Sequence, residues 1–262
     1  MKIPQRVVIT GAASGIGTAT VQHYARAGTE VIGLDINEDA LQAAAGAARH
    51  GGGRVFGYAC DVADLASVEE ASARIKAEHG PVDILVNNAG VGVGGDFLET
   101  THEDWIWLRS INYDGVAHGC RAFGPDMVAR GSGHVVNVAS GAGYIPTRRM
   151  ASYCASKAAV IMFSRCLRAD WAGRGVGVSV ICPGVIKTPI LEHTRLRGAI
   201  GAEKELMEKG FKLGHPPDAV AKAIARAARH NLALVPVGVE SRLAYHALRA
   251  LPASVGNLLA RV

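Results

Sequence analysis

Aromatic side chains are scarce, only 5% of the 262 residues, although hydrophobic residues make up 49%. Apolar mass carried by Ala, Val, Leu and Ile rather than by rings suits a sheet buried under helices on both faces. No uncharged apolar run reaches membrane-spanning length, so a transmembrane segment is not expected. Clustered charge of one sign is missing as well. The 28 Lys and Arg stand against 23 Asp and Glu, a formal +5, and no block of basic residues offers a nucleic acid a footprint. The 5 cysteines, Cys60, Cys120, Cys154, Cys166 and Cys182, form no CxxC pair and read as free thiols of a reducing compartment. Residues 1–10 lack the regions of a secretion signal, so a cytoplasmic location is the expectation. The 10 histidines show no HxxxH spacing, and no metal site is expected.

What the chain does have is alternation. Short β-branched runs at 6–10, 30–35, 54–60, 84–88, 134–139, 176–182 and 233–236 alternate with Ala-rich stretches of helical period at 15–27, 38–49, 65–78, 102–130, 152–173 and 217–229. Repeated βαβ units of this kind predict an α/β fold: a doubly wound, seven-stranded, mostly parallel sheet with helices on both faces. These elements use nearly the whole length, so residues 1–262 read as a single domain. Residues 188–214 break the rhythm with a charged, helical composition and read as a lid over a substrate. Residues 240–262 read as an apolar helical extension, with Leu243, Ala247, Leu248 and Leu251 at helical spacing and Val255, Leu258 and Leu259 after Pro252. That stripe is expected to pack on a neighbouring subunit or over the pocket mouth, with a membrane surface as the sharper alternative.

The first strand ends in Thr10-Gly11-Ala12-Ala13-Ser14-Gly15-Ile16-Gly17 and runs straight into a helix. A glycine triplet alone is only a tight turn. Between a strand and a helix it lets backbone approach a pyrophosphate lying on the positive helix end. Asp35 closes the second strand about twenty residues further on, where a carboxylate accepts from an adenosine ribose. Its charge opposes a 2'-phosphate, and neither Ser14 nor Ile36 supplies a basic partner, so NAD is expected over NADP. Ser140 closes a later strand, and Tyr153 and Lys157 follow on one helix face. A phenol of pKa about 10 needs a neighbouring ammonium to act as a base at neutral pH, and Lys157 is placed to supply it.

With these motifs together, the chain resembles the short-chain dehydrogenase/reductase family, in its compact branch with a Rossmann-type fold, from about residue 2 to about residue 236. The glycine run matches the family's TGxxxGxG, Asn87-Asn88-Ala89-Gly90 its NNAG, and Pro183-Gly184 with Thr188 its PG and T element. Asn112, Ser140, Tyr153 and Lys157 match its catalytic tetrad. The resemblance implies that Tyr153 is the general acid/base, Ser140 binds the substrate oxygen, Lys157 lowers the tyrosine pKa and holds a ribose, and Asn112 anchors a relay water. It implies cofactor contacts from Gly11, Ser14, Gly15, Ile16, Gly17, Asp35, Asp61, Val62, Asn88, Ala89, Gly90, Tyr153, Lys157, Pro183, Gly184, Ile186 and Thr188. It also implies a homotetramer or homodimer built partly on the two longest helices. Departures are small: Ala139 and Cys154 stand where the family often has serine.

The expected activity is an NAD-dependent interconversion of a secondary alcohol and a ketone. Two other readings stay open: an NADP-dependent carbonyl or 3-oxoacyl reductase, opposed by Asp35, and a protein that senses NAD without turnover, opposed by Tyr153 and Lys157. Segments 91–95, 141–150 and 189–214 are expected to line the substrate pocket with a small, apolar wall, Arg148 and Arg149 excepted. Cations and anions balance 17 to 17 through residue 187 and stand at 11 to 6 beyond it. Arg195, Arg197, Lys204, Lys209 and Lys212 thus make the lid basic, which raises an anionic substrate as a hypothesis.

Overall fold

In the computed structural model, which describes residues 4–50 and 53–250, the β-branched runs form strands and the Ala-rich stretches form helices much as the periodicity predicts. The order is β1 (Arg6–Thr10), α1 (Gly15–Arg26), β2 (Glu30–Asp35), α2 (Glu38–His50), β3 (Val55–Ala59), α3 (Leu65–His79), β4 (Ile84–Asn87) and β5 (Gly92–Gly94). Next come α4 (His102–Arg109), α5 (Gly115–Arg130), β6 (Gly133–Val138), α6 (Ala151–Asp170), β7 (Val176–Pro183), β8 (Thr194–Leu196), α7 (Lys204–Lys212), α8 (Pro217–His230), β9 (Leu234–Val237) and α9 (Val239–Ala250). The helix expected over 102–130 is α4 and α5 joined by a π-turn, Ser110–Asp114.

Seven strands pair in the order β3-β2-β1-β4-β6-β7-β9. Every ladder of that sheet is parallel, so "mostly parallel" understates its uniformity. Alternate residues of one strand feed opposite layers, as strand geometry dictates. Val7 and Ile9 of β1 join the layer that packs with Val21, Val220 and Ile224, and Val8 joins the one with Val68, Ile75, Phe123 and Val160. A second, two-stranded sheet, β5 with β8, was not legible in the sequence, because three-residue strands carry no periodicity. Strand order reverses between β1 and β4, which opens a crevice at the carboxyl ends of the strands, where ligands of open α/β sheets bind. Among the described residues no helix is long and apolar enough to cross a membrane.

Candidate active site

The glycine turn leaves β1 with positive φ at Gly11 (64°) and Gly15 (50°), a region that favours glycine. A Cβ on Gly11 would stand 2.8 Å from the Ala89 Cα, and one on Gly15 would stand 3.0 Å from the Thr188 methyl, so side chains there would fill the cradle. The N-terminus of α1 carries no acidic residue in its first turn, and Ser14 caps it without a side-chain hydrogen bond. By contrast, Asp64 caps α3 and Thr101 with Asp104 forms a capping box on α4. The start of α1, like those of α5 to α8, has no side-chain cap, but it opens at the glycine turn with its N–H groups available to an anion.

A cleft of about 280 Å³ runs from this turn, and its walls include Gly11, Ser14, Gly15, Ile16, Asp35, Asp61, Val62, Asn88, Ala89, Gly90 and Thr188. Asp35 accepts the Ala13 N–H at 2.9 Å and the Asn37 N–H at 3.0 Å, which ties the tip of β2 to the glycine turn. Asn88 braces the same turn from β4 through its amide, 3.0 Å from the Thr10 carbonyl and 3.2 Å from that of Gly11. Gly17, Tyr153, Lys157, Pro183, Gly184 and Ile186 do not line the cleft. Gly17 packs directly under the Gly11 backbone, and Ile186 belongs to the core, so any contact it makes with a cofactor is left to its backbone. The donor set suits a dinucleotide: an uncapped helix start for phosphates and a carboxylate at the strand tip for a ribose.

Asn112, Ser140, Tyr153 and Lys157 come together beyond Gly90. A Cβ on Gly90 would lie 3.3 Å from both the Asn112 Oδ1 and the Lys157 Nζ. Asn112 sits in the π-turn, a distortion frequent at functional sites. Its Oδ1 accepts the Val91 N–H at 2.8 Å, and its Nδ2 donates to the Val91 carbonyl at 3.0 Å and the Ser156 hydroxyl at 3.2 Å. The Ser140 Oγ accepts the Ala142 N–H at 3.2 Å and lies 3.5 Å from the Pro183 carbonyl.

The electrostatics correct one expectation. Burial holds the Tyr153 phenol above its ordinary value, and only the hydrogen bond with Ser140 works against that rise. Burial pushes Lys157 down to about 8. Its Nζ donates to the Val138 carbonyl at 3.2 Å and lies 5.8 Å from the centroid of the Tyr153 ring, so it is not itself what lowers the phenol in the chain alone. The resting tyrosine is thereby protonated, and the lysine keeps most of its charge at neutral pH.

The lid departs further. Residues 188–214 hold a 3-10 turn (Pro189–His193), β8, a second turn (Gly198–Glu203) and α7, rather than helix alone. Gly92, Val93 and Gly94 are buried as β5 against β8, while Val91 before them lines the cleft, as do Pro189, Ile190 and His193 of the later segment. Arg195 and Arg197 are held from within the protein. Both reach Asp104, which is 0% exposed: Arg197 bidentately at 2.7 and 2.8 Å, Arg195 at 3.3 Å with its guanidinium 3.8 Å over the Trp107 ring. Lys209 pairs with Glu205, and Arg149 with Glu203. Ion pairing thus accounts for much of what reads as a basic patch. Asp104 is a structural anchor the sequence hides, since its cap at Thr101 is local but its arginines lie 91 and 93 positions away. In the extension, Ala247 and Leu248 are half-buried but Leu243 is 66% exposed; Leu251, Val255, Leu258 and Leu259 lie outside the described residues.

A seven-stranded parallel sheet with a glycine cradle at its switch point and a Ser, Tyr and Lys cluster beside it places the chain in the Rossmann-type class of α/β folds. The family model for short chain dehydrogenases matches residues 5–197. The protein named "Probable oxidoreductase EphD" of Mycobacterium tuberculosis is 43% identical over 255 residues, which are 94% of this chain but 43% of that protein, so the chain spans less than half the length of this relative. The D-threitol dehydrogenase of Mycolicibacterium smegmatis is 39% identical over 83% of both chains. Among solved structures, a short chain dehydrogenase/reductase from Burkholderia phymatum in complex with NAD superposes with a TM-score of 0.83 at 32% identity, covering 88% of each chain. The chain belongs to the short-chain dehydrogenase family.

Proposed function

We propose that the chain is an NAD-dependent dehydrogenase that interconverts a secondary alcohol and a ketone, with Tyr153 as general acid/base. The observation that carries this reading is the meeting of Ser140, Tyr153 and Lys157 beside Gly90, which lines the same cleft as Asp35. NAD, when bound, supplies the hydride acceptor. Gly11, Ser14, Gly15 and Ile16 would hold its phosphates, Asp35 a ribose, and Asp61 with Val62 the adenine side; Asn88, Ala89, Gly90 and Thr188 would complete the walls.

In reduction Tyr153 gives its proton to the substrate oxygen while the Ser140 hydroxyl donates to the same oxygen; in oxidation Tyr153, having first released its own proton to solvent, takes the alcohol proton as a phenolate. Lys157, with a pKa of about 8, keeps most of its charge at neutral pH and is near enough to neutrality to pass a proton on. The Asn112 side chain is already committed to Val91 and Ser156, so a relay water held there would bind the backbone of the π-turn. A second copy of the chain would cover the 840 Å³ groove lined by Phe97, Trp105, Ile106, Tyr113 and Ala155 between α4 and α6, and sedimentation of Ile106→Glu against wild type tests this.

The reading is tested by an absorbance screen at the reduced-nicotinamide band with NAD and NADP against D-threitol, cyclohexanol and a 3-hydroxyacyl thioester. Oxidation of at least one alcohol with NAD is expected. Cofactor binding without turnover of any of them, or turnover with NADP alone, contradicts it.

A further inference from the structure

The first turn of α9 lies directly behind the catalytic loop. Ser241 is 0% exposed, and its hydroxyl donates to the Cys182 carbonyl at 2.7 Å. With its one hydrogen used there, it accepts from the Tyr144 hydroxyl, which also lies 3.0 Å from the Ser241 carbonyl. Tyr144 and Cys182 flank Ser140 from two sides. Tyr144 ends the turn Gly141–Gly143 that follows Ser140, and Cys182 precedes Pro183, whose carbonyl is 3.5 Å from the Ser140 Oγ. The preceding residue, Glu240, grips the same strand end: its Oε1 accepts the Val185 N–H at 2.8 Å, and its Oε2 is 3.0 Å from the His215 Nε2. A Cβ on Gly184 would run into that carboxylate. Two successive residues of α9 therefore hold both backbone segments that place Ser140.

The bond from Ser140 to Pro183 is at the limit of hydrogen-bond length, so a shift of a few tenths of an ångström in either segment redirects the serine hydroxyl. Removing the Ser241 hydroxyl takes its donor from the Cys182 carbonyl and leaves the Tyr144 O–H only the Ser241 carbonyl, which unlinks the two segments and favours such a shift. We propose that Ser241 is a positioning residue for the reaction, acting on Ser140 through Tyr144 and Cys182, which makes the C-terminal helix a working part of the active site. The proposal rests on the dehydrogenase reading above.

The test compares wild type with Ser241→Ala, Tyr144→Phe and the double variant, and with Leu243→Ala on the exposed side of the same helix as a control. Tyr144→Phe keeps the ring against Tyr245, 5.5 Å between centroids, and covers the case in which Ser241→Ala fails to fold. Turnover is read with the panel alcohol that wild type oxidises fastest, and amide hydrogen exchange is followed over residues 141–150. Each single variant is expected to lower kcat about fivefold to tenfold, with KM for NAD unchanged, and the double variant to lower it no further, because one linked chain is being cut. Exchange should quicken at 141–145 and not in β1. Wild-type kcat in both single variants overturns the proposal, as does a loss in kcat accompanied by an equal rise in KM for NAD and faster exchange throughout the sheet. If wild type oxidises no alcohol, the dehydrogenase reading falls; unaltered exchange at 141–145 then overturns the positioning role too, and faster exchange there retains the link between Ser241 and the loop.

Discussion

Asp35 carries two duties through one carboxylate. It fixes the glycine turn by accepting from Ala13 and Asn37, and it presents negative charge to the cleft. A 2'-phosphate there would meet a like charge, so KM for NADP should exceed that for NAD in wild type. Asp35→Asn, which keeps an oxygen for the backbone, should narrow the gap by about tenfold or more. A wild-type preference for NADP contradicts the assignment. Asp35, Tyr153 and Lys157 were legible in the sequence because each lies at a fixed offset from a local pattern. The effect of burial on Tyr153 was not, since it depends on packing from elements far away in the chain.

The lid joins the body through β5–β8 and the Asp104 clamp, and both sides of that joint are made by contacts distant in sequence. Asp104 is buried and doubly paired, and its arginines hold its carboxyl well below the usual carboxylate range. Asp104→Asn should cost about 2 kcal/mol, read as a lower urea midpoint, because it weakens a buried pair while leaving the half-exposed arginines able to regain water. It should also raise KM for the alcohol more than it lowers kcat; an unchanged midpoint contradicts the clamp.

In the sheet, His134 of β6 is buried and faces Ser179 of β7 at 2.8 Å. Ser179 gives its hydrogen to the Leu232 carbonyl, so the His134 Nε2 carries the proton of a neutral ring. Burial pushes its pKa down to about 4, below the unfolded value near 6.5. The unfolded chain thus binds the extra proton first, and stability is complete above about pH 6.5 and declines as pH falls toward 4, by about 2 kcal/mol at pH 5. Urea unfolding of His134→Gln at pH 7 and pH 5 should show a smaller loss than wild type; an equal loss contradicts this origin.

For the molecule as a whole, the strand and helix order follows from hydrophobic periodicity alone, because long elements with one buried face leave a strong pattern. The crevice follows in turn from the strand order, which places the glycine turn, Asn88 and Ser140 at one edge of the sheet. What composition could not convey is the fate of charge. The excess beyond residue 187 reads as a substrate-facing patch, yet Arg195 and Arg197 bind Asp104, Lys209 binds Glu205 and Lys222 binds Asp218. Nor could it convey that α9 closes on the loop that follows Ser140, since Ser241 meets Tyr144 across 97 positions. The central claim is that Tyr153 exchanges the proton that accompanies hydride transfer. The direct measurement is turnover of Tyr153→Phe on the best panel alcohol, together with NAD binding by calorimetry. The account predicts that kcat falls by at least about a hundredfold while the Kd for NAD stays near that of wild type. Wild-type turnover in Tyr153→Phe would contradict it.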